Sequence, residues 1–411
     1  MDFTISPKAS NILKEVKSLI HNEIIPSEAE YFNETKKQNY SQRFTITSRQ
    51  VEILEELKNK AREKNLWNLW LTNSTKGQGI NTVDYAYLAE EMGWSYLAPE
   101  VFNCSAPDTG NMEVLERYGS EKHKEKWLKP LLDGKIRSAY LMTEPDVSSS
   151  DATNISFRAE LDGNEWVLNG EKYWASGAGD PRCKLYILMA CTEDNTKPRH
   201  QRHSQFAIDP DLKGINIIRP MEVFGHDDAP HGHMHIKFEN VKVPKDSLIF
   251  GRGRGFEIAQ GRLGPGRIHH CMRAIGQAEY ALKLLCKRAV SRTAFGQPLA
   301  KLGANKDIIA ERRIAIEQAR LLCLKAAWMM DNRPIKEASV WISKIKVIAP
   351  SIALETVDEA MQIYGATGIS QDTPLAKMWL GLRTLRFADG PDAVHRMVIA
   401  RQELKKSSNT K

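Results

Sequence analysis

A carboxylate on a predicted tight turn is the first candidate for chemistry in this sequence. Asp389 is followed by Gly390 and Pro391, which favour a turn, and Asp392 can cap a helix that runs through Arg401. A carboxylate held on a rigid corner is suited to removing a proton from a substrate. Because Asp-Gly-Pro-Asp is also an ordinary turn sequence, the local pattern alone leaves a purely structural role open.

A histidine cluster and a basic loop are weaker candidates. His231, His233 and His235 alternate, so on a strand they would share one face and could bind a metal ion. The sequence offers no evident fourth ligand, and we predict no metal site. The run RHQRH at residues 199–203 could contact a phosphate group, although a solvated basic loop is the favoured interpretation.

The composition is that of a globular chain. Its 411 residues suffice for two or three structural units, and the net charge of +7 comes from 58 basic and 51 acidic residues spread along the sequence. Dispersed charge gives little support for nucleic-acid binding, but it suits a substrate that carries several phosphates. No apolar run approaches the ~18 residues that span a bilayer, so we predict no transmembrane helix.

Six cysteines without a CxxC pair predict reduced thiols and a reducing compartment. Neither terminus carries a legible targeting signal, since the N-terminal residues lack an Arg-rich or apolar leader pattern and the C-terminus reads SSNTK.

The elements that must position these residues follow the order helices, strands, helices. Apolar spacings of three and four residues predict an all-α domain over residues 1–135 and a four-helix bundle over 251–411. Short alternating runs over 136–250 predict an antiparallel β domain, with a hairpin at Asp162-Gly163-Asn164. The predicted fold class is therefore α+β, and a doubly wound parallel sheet is excluded.

Five motifs follow one another along the chain: AYLMTEP at 139–145, YWAS at 173–176, FENVKVP at 238–244, RTAFGQPL at 292–299 and QIYGATG at 362–368. Together with the segment FADGPDAVHRMVIAR at 387–401, they resemble the acyl-CoA dehydrogenase family and stand in the family's order. The runs TEPDVSSSDATN and RLGPGRIHHCMR are similar to the branch that includes family members ten and eleven, here without their kinase-like domain.

The resemblance implies FAD as cofactor. Hydroxyls of Thr143 and Ser176 match positions that bond the flavin at N5 and O4, and Trp174 matches an aromatic wall against the ring. The flavin half of the implied cofactor site comprises Tyr140, Leu141, Met142, Thr143, Ser149, Trp174, Ala175 and Ser176. The ADP half comprises Arg292, Gln362 and Gly365, and because FAD is often held partly by a neighbouring subunit, a homodimer or homotetramer is implied.

The resemblance also implies a reaction. Asp389, where the family usually has Glu, would remove the α-proton of an acyl-CoA thioester while a hydride passes from Cβ to flavin N5 and trans-2-enoyl-CoA forms. The alternative base position of the family corresponds to Gly266, which cannot act. Substrate contacts are implied at Ser150, Arg267, Gly390 and Arg401.

The predicted function is fatty acyl-CoA dehydrogenation in β-oxidation, with an electron-transfer flavoprotein as acceptor. An acyl-CoA oxidase, a flavin monooxygenase of the same fold and a non-catalytic acyl-CoA or FAD sensor remain alternatives. The resemblance implies the mitochondrial matrix or peroxisome, or the cytoplasm of a bacterium. Acyl chain length is not predicted.

Overall fold

The computed structural model describes residues 1–72 and 77–408, without the side chains of residues 263–265. In space the chain divides into two compact units, each assembled from separate segments. The first unit combines Met1–Glu28, Asn59–Phe102 and Arg267–Lys411, and the second combines Ala29–Lys58 and Asn103–Gly266. The domain boundaries inferred from the sequence stay a prediction, because these units group chain segments by contact.

Helices fill the N-terminal and C-terminal thirds of the described chain. They are α1 (Pro7–Leu19), α2 (Ile25–Lys37), α3 (Ser48–Glu63), α4 (Thr82–Met92), α5 (Ala98–Val101), α6 (Asp108–Tyr118), α7 (Glu121–His123), α8 (Lys129–Leu132), α9 (Gly255–Ser291), α10 (Asn305–Asn332), α11 (Ile335–Tyr364), α12 (Leu375–Leu385) and α13 (Asp392–Ser408). No helix among the described residues is both long and apolar enough to cross a membrane.

Strands fill the middle of the chain and lie in the second unit, apart from one small hairpin. They are β1 (Arg137–Leu141), β2 (Arg158–Asp162), β3 (Glu165–Ser176), β4 (Cys183–Cys191), β5 (His203–Ile208), β6 (Ile215–Pro220), β7 (His233–Pro244), β8 (Leu248–Ile249), β9 (Thr293–Ala294) and β10 (Gln297–Pro298). The first eight form one sheet in the order β6-β7-β3-β2-β4-β5-β8, with β1 paired to β4.

The sheet is mixed rather than wholly antiparallel. Strand β4 pairs in parallel with β1 and, at one position, with β2, whereas the other pairings are antiparallel. The predicted hairpin is present, since Asp162 pairs with Glu165 and Gly163 supplies the positive φ of +60° that the turn requires. Alternation along a strand reports a buried face and not the direction of the neighbouring strand, which is why the parallel pairs escaped prediction.

Long helices form the core of the first unit. Helix α11 packs against α10, α12 and α13, and it continues through Pro350. Helix α9 approaches the end of α4 so closely that a Cβ on Gly276 would lie 1.8 Å from the carbonyl oxygen of Glu90. Only glycine allows this approach, and it fixes α4 onto α9.

Apolar faces of the strands form the core of the second unit. Trp166, Leu168, Phe206 and Phe238 are all at most 2% exposed. The six cysteines are thiols, as expected, and four of them are buried. The buried thiols behave as small apolar residues in the two cores.

Candidate active site

An irregularity in β3 presents the aromatic and hydroxyl residues predicted to meet the flavin. Lys172 pairs with Ile236 and Ala175 with Met234, so two residues of β3 oppose one residue of β7. The second of the two, Trp174, has a φ of +54°, which is unusual for a bulky side chain and leaves it 36% exposed. A bulge of this kind re-aims a side chain, and it gives Trp174 an open apolar face.

The bulge also brings together the two predicted flavin motifs. The N–H of Tyr173 donates to the backbone carbonyl of Thr143 at 2.8 Å, so the end of β1 lies against the bulge of β3. Thr143 is exposed, and its hydroxyl is therefore open to a ligand. The structure thus joins the TEP and YWAS motifs, which are 30 residues apart, within the second unit.

A buried ion pair holds this arrangement. Lys172 has a side chain with no exposure, and its Nζ lies 2.8 Å from Oε1 of Glu144, which is 3% exposed. The ammonium also donates to the carbonyl of Met142, and the carboxylate accepts from Ser156 and from the N–H of Phe157. The loop after β1 is therefore bonded to β3 through Lys172, and Glu144 near its start is bonded to Ser156 and Phe157 near its end.

The pKa values of this pair reflect the burial. Burial lowers the pKa of Lys172 to about 8, although Glu144 opposes the shift. Burial by itself would raise the pKa of Glu144, but Lys172 and the bonds from Ser156 hold that pKa below its ordinary value. Both groups are therefore mainly charged at pH 7, and each depends on the other.

Ser176 has a partner that the sequence did not suggest. Its Oγ lies 2.8 Å from Nδ1 of His233 on the neighbouring strand β7. His233 is 15% exposed, and its Nε2 lies 3.8 Å from the carboxylate of Asp228. The ring of Trp174 lies 5.8 Å from that of His233, so the imidazole is enclosed by two residues of the predicted flavin site.

Other predicted flavin residues contribute in different ways. The side chains of Leu141 and Ala175 are 1% exposed and point into the core, so only their backbone atoms could face a ligand. Met142 is half-buried against the same core. Tyr140 lies under the guanidinium of Arg262, and its hydroxyl accepts from Gln205.

Ser149 and Ser150 lie in the loop after β1. The hydroxyl of Ser149 accepts from the N–H of Glu144, so it shapes the loop from within. Ser150 is exposed, as a substrate contact would have to be.

The first unit contains a pocket where the predicted ADP-binding residues meet. Arg292, Gln362 and Gly365 line a cavity of about 420 Å³ between the β9–β10 hairpin and the ends of α10 and α11. Gly365 ends α11 with a φ of +65°, and a Cβ there would meet no atom within 4 Å. The open space at Gly365 lets a ligand approach the backbone.

The same pocket contains a cation that the sequence analysis missed. Arg288 lies in the last turn of α9, four residues before Arg292. Its buried Nε has no hydrogen-bond partner among the described residues. Its guanidinium stacks on Tyr364 at 5.1 Å. Two arginines beside an open glycine fit a diphosphate, because guanidinium groups bind phosphate oxygens in bidentate fashion. The residues present therefore fit the ADP half of FAD.

Asp389 lies on a tight turn between α12 and α13, as predicted. Its φ is +56° and that of Gly390 is +101°, so the chain reverses through two left-handed residues. Asp and Asn tolerate this region better than longer side chains, which gives a physical reason for Asp at this position. The predicted helix begins at Asp392, whose carboxylate accepts from Arg386 at 2.6 Å.

Side chains from neighbouring helices fix the Asp389 turn. The backbone carbonyl of Asp389 accepts from Nε of Arg267 at 3.0 Å and lies 3.3 Å from Nε2 of His395. Burial, Arg267 and Lys346 lower the pKa of His395 to about 4, so its imidazole is neutral at pH 7. The ammonium of Lys346 donates to the carbonyl of Leu385. The turn is thus held through its backbone, which leaves the Asp389 carboxylate to other partners.

The carboxylate of Asp389 is 21% exposed and lies 3.5 Å from Nε2 of His270. Neither His270 nor His395 was predicted from the sequence, although His270 lies one helical turn after Arg267. Gly266 lies nearby along α9, and a Cβ there would meet no atom within 4 Å. Arg401 lies on the exposed face of α13.

The weaker sequence candidates have structural partners. His233 and His235 share one face of β7, but they contact Ser176 and Glu171 separately. Among the described residues, no group of three His, Cys, Asp or Glu side chains has an arrangement suited to a metal ion. In the basic loop, His203 is buried and bonds the carbonyl of Ile155, whereas Arg199 pairs with Asp151 at 3.3 Å.

Comparison with known proteins identifies the family. The family models for the N-terminal, middle and C-terminal domains of acyl-CoA dehydrogenases match residues 6–135, 139–241 and 253–404. The chain is 46% identical to the probable acyl-CoA dehydrogenase FadE2 of Mycobacterium tuberculosis, and the match covers 100% of this chain and 98% of that protein. It is 48% identical to acyl-CoA dehydrogenase family member 10 of Mus musculus over 98% of this chain, but it spans only 38% of that longer protein.

A solved structure agrees with the sequence relatives. The chain superimposes on a putative acyl-CoA dehydrogenase from Mycobacterium abscessus with a TM-score of 0.94 at 48% identity, over 98% of this chain and 100% of that one. The fold is that of a family of flavoprotein oxidoreductases. The chain belongs to the acyl-CoA dehydrogenase family. The predicted family, the α+β fold class, the enzyme class and FAD as the family's cofactor are thereby confirmed.

Proposed function

We propose that the protein is an FAD-dependent acyl-CoA dehydrogenase that converts a fatty acyl-CoA into the trans-2-enoyl-CoA in β-oxidation. The observation that carries this proposal is the Asp389 turn, on which an accessible carboxylate precedes Gly390 and is held by Arg267 and His395 through its backbone. A base with a fixed backbone and an accessible side chain suits proton abstraction. The chain spans 38–51% of the length of its longer relatives, so the activity of the whole protein is part of this proposal.

The proposed chemistry divides between proton and hydride. Asp389 takes the α-proton, and the backbone N–H of Gly390 donates to the thioester carbonyl, which stabilises the charge that develops on that oxygen. When bound, FAD would supply the acceptor for the hydride that leaves Cβ, so the substrate would lose two electrons as its Cα–Cβ double bond forms. Thr143 and Ser176 would orient the flavin through their hydroxyls, and Trp174 would exclude water from one face.

We also propose the partners that the resemblance implied. Arg288 and Arg292 would hold the diphosphate of FAD, and Phe295 at the tip of the β9–β10 hairpin is 95% exposed, as a residue that meets a second subunit would be. We propose a homodimer or homotetramer and an electron-transfer flavoprotein as electron acceptor. A monomer in light scattering with full FAD content would contradict the intersubunit role of the Arg292 hairpin. The compartment stays a prediction from the family.

The test is anaerobic bleaching of the bound flavin by saturated acyl-CoA thioesters of short, medium and long chain length. We expect bleaching by at least one thioester, whereas no bleaching by any would contradict the dehydrogenase and leave a non-catalytic sensor. Rapid reoxidation by air would instead favour an oxidase.

The role of Asp389 is tested by Asp389→Asn, which keeps a residue that tolerates positive φ. The variant is expected to retain FAD and to lose flavin reduction by about 10²–10⁴-fold. Asp372→Asn, on an exposed carboxylate of the same unit, is the matched control and is expected to reduce its flavin normally. If the flavin in Asp389→Asn is reduced at a rate near that of the wild type, Asp389 is not the base.

A further inference from the structure

His233 carries an imidazole that is 15% exposed and has no role in the proposed mechanism. It lies on β7 with Nδ1 at 2.8 Å from the Ser176 hydroxyl and Nε2 at 3.8 Å from the Asp228 carboxylate. A second titratable group, His231, has its ring centre 6.3 Å away and also acts on it. His233 therefore joins the predicted flavin hydroxyl to an exposed acid.

The protonation of His233 decides what it can offer Ser176. Burial lowers the pKa of His233, His231 adds to this shift and Asp228 opposes it, so the imidazole is neutral at pH 7. A neutral imidazole carries one N–H and one lone pair. Because the Asp228 carboxylate faces Nε2, it favours the tautomer with the proton on Nε2. Nδ1 then carries the lone pair and accepts a hydrogen bond from the Ser176 hydroxyl.

A serine hydroxyl has one proton to donate and lone pairs to accept with. If that proton points to His233, the oxygen of Ser176 is left to accept a hydrogen bond from a ligand. Oxidised flavin presents a lone pair at N5, whereas reduced flavin presents an N–H there. The oxygen of Ser176 thus matches the reduced form.

We propose that His233 is a positioning residue that turns the Ser176 hydroxyl away from the flavin and thereby favours the reduced form of the bound cofactor. The inference rests on the proposed function, because it takes Ser176 to face flavin N5. It adds that the potential of the flavin is set partly by a histidine on β7 and a nearby exposed aspartate, which act through Ser176.

The test is a spectrophotometric redox titration of the FAD-loaded protein against a reference dye. His233→Leu frees the Ser176 hydroxyl to donate to oxidised flavin. We expect the ratio of reduced to oxidised flavin at a fixed potential to fall about tenfold, which is about 30 mV for a two-electron couple. His233→Asn, whose Oδ1 can still accept from Ser176, is expected to stay near the wild-type potential.

Two further variants show whether the effect passes through Ser176. Ser176→Ala should itself shift the potential, and adding His233→Leu to it should shift the potential no further. A full additional shift from His233→Leu in that background would overturn the inference. If His233→Leu leaves the potential unchanged while Ser176→Ala shifts it, the inference also fails but the flavin contact stands. If Ser176→Ala causes no shift, the proposed flavin contact itself is wrong.

If His233→Leu does not retain flavin, Asp228→Asn tests the same contact with a smaller change. The Asp228 side chain is 51% exposed and its backbone has a φ of +52°, which Asn adopts readily, so the fold should be kept. Loss of the carboxylate removes the preference for the proton on Nε2, and the potential should fall by a smaller amount than in His233→Leu. An unchanged potential in Asp228→Asn with full FAD content would overturn the proposed tautomer.

Discussion

Replacing Lys172 with Met should destabilise the second unit strongly. The ammonium has no exposure and lies 2.8 Å from a carboxylate that is 3% exposed, so its removal leaves Glu144 as a buried charge without its counter-charge. Breaking a buried pair in this way costs about 3–5 kcal/mol. Glu144 keeps its hydrogen bonds from Ser156 and Phe157, which places the expected loss near the lower end, at about 3 kcal/mol.

The assay is thermal unfolding followed by circular dichroism at pH 7, with FAD content measured in parallel. A unit of this size loses about 2–4 °C for each kcal/mol, so the transition should fall by about 6–12 °C. FAD should also bind more weakly, because the pair holds the loop that carries Thr143. The matched control is Lys184→Met, which removes an exposed pair with Asp211 at 3.2 Å and should change stability by at most about 1 kcal/mol.

A double variant separates the loss of the pair from the burial of a lone charge. Glu144→Gln combined with Lys172→Met leaves no buried charge at this position, so it should be less destabilised than Lys172→Met alone. A double variant that is less stable than the single one, or a Lys172→Met protein within about 1 kcal/mol of the wild type, would refute the reasoning.

Two further predictions concern charged groups away from the flavin motifs. Burial raises the pKa of Glu113 to about 7 despite Arg117, so its folded carboxyl binds a proton more tightly than the unfolded one near 4.5, and stability falls as pH rises from about 4.5 to 7. In urea unfolding, the free energy of unfolding of Glu113→Gln should therefore exceed that of the wild type by up to about 3 kcal/mol at pH 8 and match it at pH 4.5. Equal stability of the two proteins at pH 8 would contradict this. Arg320→Leu removes ion pairs to Glu90 and Glu279 and should lower the free energy of unfolding, measured by urea unfolding, by about 3 kcal/mol. Arg320→Lys should lower it by less. A decrease of less than about 1 kcal/mol in Arg320→Leu would show that these ion pairs are not needed for stability.

Much of the fold could be predicted because hydrophobic spacing reports local structure directly. The hairpin at Asp162-Gly163-Asn164 followed from turn chemistry, and the helices at both ends of the chain followed from helical spacing. The parallel pairing of β4 with β1 could not be predicted, because it depends on which distant strands meet.

The candidate site shows the same division. Motif order predicted that Thr143 and Ser176 contact a flavin, but nothing local marked His233 as the partner of Ser176, since the two residues are far apart in the sequence and meet only across β3 and β7. The alternating histidines suggested a metal face, whereas the structure gives the two strand histidines different partners.

The sequence by itself determined the family, the order of elements and the turn that carries Asp389, because these depend on residue type and short spacing. Tertiary structure decided what surrounds those residues. Helix packing places Arg267 and His395 on the backbone of the Asp389 turn, and strand pairing buries Lys172 against Glu144. These contacts depend on the three-dimensional meeting of distant segments, and burial gives them energies that no local pattern contains.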